Sequence, residues 1–428
     1  MTGPVTGPLA EGLDPVAAFA PAPVAPAPAL GVSANTSANT SASTSAAARG
    51  RRVAFFGHDR AEPTVRKRID AIREAGWSVI VYAFERDRPG GVPAEAPVAD
   101  DIVPLGLTVD RNYARRLPRL AVGIVRALRR RRDLRAADVI YVRNLDMALV
   151  AWTSARLAGS RARLVYEVLD IQRLMVRPDA PGRVARAIER WLLGRSDLLV
   201  VSAPDFIDRY FRPVQGFAGA WHLLENKVMG HRLGEVATRL DRTRTAEPPW
   251  VIGWFGTLRC RRSLTILAAI ADALGDSVRI VLAGRLSEED ISPRTLADTL
   301  DGRANMSFRG PYANPRDLPE IYSGIHFSWA VDYLDDGLNS DWLLPNRLYE
   351  GGLCGALTLA RASTATGRYT VAERLGWAFP EPLAESVTAF LRTLTPAAYA
   401  ERHAGLLDRD LATFVDVDGM RDLLLRLD

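Results

Sequence analysis

The chain has two cysteines in 428 residues, Cys260 and Cys354, too few for a disulfide framework and without metal-ligand spacing. Its five histidines, at positions 58, 222, 231, 326 and 403, show no paired spacing for zinc. These absences fit a reducing compartment, with the cytoplasm as the expected location and no metal expected. There is no run of about 18 apolar residues, so no transmembrane helix is expected. The first eight residues hold two prolines and no Lys or Arg, which does not read as a signal peptide. Residues 1–48 alternate Pro, Ala, Ser, Thr, Gly and Asn with almost no charge, the composition of a disordered tail.

With 48% hydrophobic and 25% charged residues, the remainder has material for two globular domains. Basic residues exceed acidic ones only by 55 to 50 and no binding module accompanies them, so nucleic acid is not an expected partner. From residue 51, short apolar runs at 53–57, 79–84, 102–105, 138–142, 164–167 and 198–202 alternate with helical stretches at 62–75, 146–157 and 181–195. Strands alternating with helices predict a doubly wound parallel sheet. A charged stretch ending in Glu247-Pro248-Pro249 then precedes a second series of runs at 251–255, 277–283, 306–308, 326–331 and 356–360. The reading is therefore α/β, with two Rossmann-like parallel-sheet domains. They span 49–225 and 250–414, joined by a linker over 226–249, with a last helix within 415–428.

The most informative stretch is 343–355, read Leu-Leu-Pro-Asn-Arg-Leu-Tyr-Glu-Gly-Gly-Leu-Cys-Gly. Pro345 suits the first turn of a helix, which places Asn346 and Glu350 four apart on one face. Gly351 and Gly352 inside that helix cost about 1 kcal/mol each relative to Ala, which predicts a ligand or a second backbone in close approach. An Arg347–Glu350 surface pair, with glycines pressed on a sheet, is the plainer alternative. The polar loop Asp335-Asp336-Gly337-Leu338-Asn339-Ser340 leads into the helix from a strand, where α/β sheets collect ligands.

These residues, with Ile252-Gly253-Trp254-Phe255-Gly256-Thr257-Leu258-Arg259 and Phe55-Phe56-Gly57-His58-Asp59, resemble the two-Rossmann-domain (GT-B) glycosyltransferases that use sugar nucleotides. The likeness is to the retaining family 4, and within it to transferases of succinoglycan-type exopolysaccharide assembly. It implies a nucleoside-diphosphate sugar as donor, bound on the second domain with no metal. It also implies a saccharide acceptor, lipid-linked in such pathways, on the first domain, and a last helix packed back across that domain. One position departs from the pattern. Eight residues before Glu350 the family carries a second carboxylate, and here stands Trp342. Either Asp341 or Asp336 takes over the donor-sugar contact, or the resemblance fails at the sugar.

Three arginines, 259, 261 and 262, crowd a predicted helix start behind Gly256, where the helix dipole already disfavours cations and so favours an anion between them. The resemblance singles out Arg259 and Arg262 as contacts of the donor diphosphate, with Arg262 stabilising the leaving group. It makes Glu350 the ribose contact and sets Tyr312 beside the base, where packing in the core is the alternative. Asn346, Arg347 and Gly351 complete the expected donor site. In the first domain, His58 follows the first strand and is either a catalytic group or part of a capped helix start. Glu167 and Asp170 follow another strand, where Asp170 would serve as general base if the reaction inverts the sugar carbon, or would merely solvate a loop. Residues 112–135 are arginine-rich with Leu117, Leu120, Ile124, Val125 and Leu128 on one side. They would suit the inner face of an anionic membrane, or the solvated face of an ordinary helix. Two rivals remain: an epimerase of the same fold, and a non-catalytic assembly partner with a degraded donor site.

Overall fold

The computed structural model describes residues 50–59, 62–86, 99, 101–108, 113–230 and 233–427. The tail expected over 1–48, and Asn112, lie outside these residues.

Strands buried on both faces read as continuous apolar runs, and those of the first half assemble accordingly. Arg52–Gly57 (β1), Ser78–Arg86 (β2), Asp101–Thr108 (β3), Val139–Arg143 (β4), Arg163–Val168 (β5), Leu198–Val201 (β6) and Trp221–Leu223 (β7) form one sheet in the order β3-β2-β1-β4-β5-β6-β7. Every neighbouring pair in it is parallel. Alternation along β1 divides the core, with Ala54 and Phe56 facing one hydrophobic layer and Val53 and Phe55 the other. The short β7 was not expected. Its three residues, Trp221-His222-Leu223, carry too little apolar pattern to mark a strand apart from the crossover that follows.

The chain then passes through Val228–Met229 (β8) to a second parallel sheet. It comprises Trp250–Leu258 (β9), Val278–Leu286 (β10), Met306–Phe308 (β11), Phe327–Trp329 (β12), Leu357–Arg361 (β13) and Gly376–Phe379 (β14), ordered β11-β10-β9-β12-β13-β14. Val415–Asp416 (β15) returns beside β8 in parallel, so two passes of chain run side by side between the sheets. The final helix, Gly419–Leu425, lays Met420, Leu423 and Leu424 into the layer under β1, against Val65 and Ile69 of the helix Pro63–Glu74.

Both sheets reverse direction of winding at one place, between β1 and β4 in the first and between β9 and β12 in the second. Such switch points open a crevice at the carboxyl ends of the strands, where ligands of doubly wound sheets bind. The loops after β1, β4 and β5 and those after β9, β12 and β13 therefore supply the candidate site.

Two local expectations are corrected by packing. The helix Asn346–Leu353 has Pro345 as its N-cap with extended backbone rather than in its first turn. The bare faces of Gly351 and Gly352 serve the protein itself. A Cβ on Gly351 would lie 2.8 Å from the Ser328 Cβ, and one on Gly352 would lie 2.2 Å from the Phe414 ring. Gly351 is thus a packing residue between helix and β12, not an approach for a ligand.

Candidate functional site at the two switch points

At the switch point of the first sheet a chain of charged groups runs from the core into the cleft. Glu167 lies within β5 and is fully buried, which corrects its expected place in the following loop. Arg68 Nε donates to its Oε1 at 2.7 Å, and Arg143 Nε stands 3.2 Å from its Oε2. Arg143, at the end of β4, reaches Glu62 at 3.8 Å. His58 then has both ring nitrogens engaged, Nδ1 with the Asn144 amide at 3.1 Å and Nε2 with Glu62 at 2.8 Å. His58 accordingly orients neighbours and presents no free nitrogen in this geometry. Burial opposes ionisation of Glu62, yet the His58 hydrogen bond, Arg143 and Thr64 hold its carboxyl well below the usual carboxylate range. Asn144 has φ 68° and ψ 154°, a conformation that side chains rarely adopt. Strain of this kind collects where a crevice must present a side chain in one orientation.

Asp170 follows β5 and is exposed to the cleft while walled by protein. That crowding raises its carboxyl above the ordinary value, with Glu62 in the same direction; the Asn339 hydrogen bond, Arg259 and Arg143 act in the opposite sense. Arg259 therefore faces Asp170 from the other sheet, and it also lies 3.8 Å from Asp332.

Gly256 lies within β9 rather than in its loop, paired with Gly284 and at φ 114°. A Cβ on Gly284 would strike the Gly256 carbonyl at 1.7 Å, so the two strands press together here. Only Arg259 and Cys260 intervene before the helix Arg261–Leu274, whose N-cap Cys260 accepts the Ser263 N–H at 3.3 Å. Arg261 turns away to the Asp290 carbonyl. Arg262 is half exposed, stacks on the Tyr333 ring with its guanidinium 4.0 Å from the centroid, and stands 3.3 Å from Asp336 and 3.5 Å from Glu381. Arg361, at the end of β13, also lies over the Tyr333 ring at 4.1 Å and meets Asp336 at 2.8 Å, Asp341 at 3.1 Å and Glu381 at 3.3 Å. Trp342 is buried in the core. Asp336 and Asp341 thus gather around Arg361 beside the position that Trp342 has given up.

A second pocket lies between the helix Pro63–Glu74, β8 and the helix Asn346–Leu353, lined among others by Thr64, Lys67, Met229, Asn314, Asn346 and Glu350. Asn314 Nδ2 donates to Glu350 Oε1 at 2.7 Å. The Arg347 guanidinium makes no ion pair with Glu350 among the described residues, and its carbonyl accepts from Ser328 Oγ at 3.1 Å. The Tyr312 ring packs on the layer of Phe255 and Tyr322, and burial and the nearby Glu350 charge push its hydroxyl well above the usual range. Its partial burial against this layer fits the packing alternative and leaves part of the ring exposed.

Burial raises the Glu350 carboxyl above its ordinary 4.5, against the Asn314 hydrogen bond, Lys67 and Arg347. A carboxyl raised on folding supports the fold fully below its unfolded value and loses that contribution as pH climbs through the folded one. Glu350→Gln keeps the acceptor for Asn314 and removes the charge. We expect its urea midpoint to exceed that of the wild type at neutral pH, with the difference vanishing below pH 4.5. Equal midpoints at neutral pH would contradict this account.

The site brings His58, Asp170 and Arg259 to one crevice, Arg262 to its wall on the second sheet, and Asn346 and Glu350 to the adjoining pocket. Reading strand ends missed Arg143, Asn144, Tyr333, Asn339 and Arg361. Arg143 and Arg361 each end an apolar strand run, so the rule that found Asp170 applies to them equally. Nothing in the pattern marks Tyr333 as a ring shared by two arginines.

Known proteins share sequence and fold with this chain. Residues 61–227 match the family described as glycosyl transferase 4-like domain. The chain is 38% identical over 362 residues to succinoglycan biosynthesis protein ExoL of Rhizobium meliloti (strain 1021), covering 82% of this chain and 86% of that protein. In fold it is similar to sucrose-phosphate synthase from Thermosynechococcus elongatus, with TM-score 0.65, 15% identity, and 88% of this chain and 98% of that one covered. It is also similar to Anabaena Alr3699/HepE in complex with UDP and glucose, with TM-score 0.62, 14% identity and coverage of 87% and 98%.

Proposed function

We propose a donor, an acceptor and a division of labour for this chain, which belongs to the glycosyl transferase 4-like family of GT-B glycosyltransferases. The donor is a nucleoside-diphosphate sugar, with a uridine nucleotide the first candidate, as HepE was solved with UDP. The acceptor is a growing, lipid-linked saccharide of exopolysaccharide assembly, the process named for the ExoL relative. The observation that carries the reading is the meeting of Asp170 with Arg259 and Asn339 across the two switch points. A carboxylate with raised proton affinity on one wall and a cation on the other suit a transfer between them.

In this reading the sugar carbon is inverted, a departure from the retaining family that the sequence resembles. The acceptor hydroxyl oxygen bonds to the anomeric carbon from the side opposite the diphosphate while the bond from that carbon to the diphosphate breaks. The electron pair leaves with the diphosphate, and Asp170 takes up the hydroxyl proton. Arg259 and Arg262 stabilise the charge that builds on the leaving group, Arg262 exchanging Asp336 for phosphate. Glu350 and Asn346 hold the ribose end, and Asp336 or Asp341 supplies the sugar contact that Trp342 cannot. Incubating the full chain with UDP-glucose and a lipid-linked saccharide extract tests the reaction. Released UDP with an acceptor heavier by one sugar supports it. A new sugar nucleotide with unchanged acceptor would favour an epimerase instead.

A membrane surface completes the proposal in altered form. The basic segment folds as two helices, Tyr113–Arg129 and Arg131–Ala136. Leu120, Ile124 and Leu128 are spent on the core, so they are not available to acyl chains as expected. Val122 and Val125 are exposed beside Arg129, Arg131 and Arg132. Such a face attracts anionic headgroups at about 1 kcal/mol per arginine and releases them at high salt. The full chain is expected to sediment with phosphatidylglycerol vesicles more than with phosphatidylcholine vesicles, and triple replacement of those arginines by Gln should abolish the difference. Equal sedimentation of the wild type with both would contradict the proposal.

A further inference from the structure

We infer that Asn339 is a positioning residue that couples contact between the two sheets to the alignment of Asp170, an inference that rests on the role proposed for Asp170. Asn339 opens the short helix Asn339–Trp342 after β12 and is 4% exposed. Its Nδ2 donates to Asp170 Oδ1 at 3.1 Å, and its Oδ1 accepts the Ile171 N–H at 2.9 Å. One amide therefore grips both the carboxylate and the backbone that carries it, across the cleft. The choice of residue is chemical. An amide offers a donor and an acceptor on one planar group, which neither a carboxylate nor an apolar side chain of that size can do.

The gripping loop is itself built to hold its shape. The Asp335 N–H donates to Ser340 Oγ at 2.9 Å, and the Leu338 and Ser340 N–H groups return to the Asp335 carbonyl at 3.0 and 3.2 Å. Beside it, Arg173 pairs with the Asp335 carboxylate and the Leu334 carbonyl. The segment from Leu334 to Asn339 thus clasps the stretch from Asp170 to Arg173, and the clasp exists only while the two halves touch.

Charged groups face Asp170 from each surrounding element: Arg143 at the end of β4, Glu62 before the helix Pro63–Glu74, and Arg259 after β9. The arginines and the Asn339 donor favour the ionised carboxyl, whereas crowding and Glu62 oppose it. Opening the cleft removes Asn339 and Arg259 together and relieves the crowding that raises the carboxyl, so Asp170 loses both the donor that directs it and its raised proton affinity. Alignment gained only on closure favours transfer over hydrolysis, because water enters when the halves part.

The test follows the carboxyl of Asp170 by carbon NMR in the full chain labelled at aspartate Cγ, with Asp170→Asn to assign its resonance. In Asn339→Ala the titration midpoint of Asp170 is expected to rise by about one pH unit, as for loss of a hydrogen bond to the charged form. In the isosteric Asn339→Asp it should rise further, through like charge. Retained UDP binding in calorimetry certifies the fold of each variant. An unmoved midpoint in both variants would overturn the inference, whatever Asp170 does. Wild-type turnover in Asp170→Asn would instead overturn the role of Asp170, and the inference with it.

Discussion

Replacing Asp170 by Asn is expected to lower turnover about 10²- to 10⁴-fold, the usual contribution of a positioned acid or base, while UDP affinity stays within about twofold. The amide preserves size and still accepts from Asn339 Nδ2, so the cross-cleft contact at 3.1 Å survives and only the proton acceptor is lost. The sign of the pH dependence follows from the raised carboxyl. A base must be ionised to act, so the acid limb of kcat/KM in the wild type should lie above the ordinary aspartate value of 3.8. That limb should be missing from the residual activity of Asp170→Asn. Steady-state UDP release measured across pH checks both points. A turnover within threefold of wild type would remove Asp170 from the chemistry.

The second large effect lies below the site. Glu167→Ala should destabilise the first sheet by about 3–5 kcal/mol, the cost of leaving buried charge unpaired. Glu167 is 0% exposed, and Arg68 and Arg143, at 2% and 3%, depend on it. Removing the carboxylate strands two guanidinium groups in the core, and only Arg68 keeps another strong partner, the Leu224 carbonyl at 2.9 Å. Arg143 also supports Glu62 and through it His58, so the variant should lose activity along with stability. Urea unfolding followed by a probe in the first sheet measures the loss, and a change below about 1 kcal/mol would contradict the account.

The contrast between these residues shows what a strand pattern reveals. Glu167 and Asp170 are three apart in sequence, and both read as polar groups at the end of an apolar run. The end of β5 at Val168 divides them, leaving one fully buried between arginines and the other in the cleft. A boundary misplaced by one residue was enough to merge structural ballast with candidate chemistry. The fold was legible because apolar runs of the right length alternate with helices, whereas the strand orders that set the two switch points emerge only from the structure. What stayed hidden depends on approach between distant segments. Gly351 and Gly352 advertised a close contact correctly, but only packing shows that Ser328 and Phe414 make it. Arg262 read as free for an anion, and the fold surrounds it with Asp336, Glu381 and Tyr333. Asn339 lay in a stretch noted for its polarity, yet its partner stands 169 residues away.

The central claim, that the pocket beside Glu350 and the arginine cluster after β9 together form the donor site, is tested most directly by calorimetric titration. UDP, GDP and ADP would be titrated into the full chain and into Glu350→Ala and Arg262→Ala. The account predicts saturable binding of one nucleotide, weakened about tenfold or more in each variant, as for a lost hydrogen bond to a charged group. Absence of binding by all three nucleotides, or binding unchanged in both variants, would contradict it.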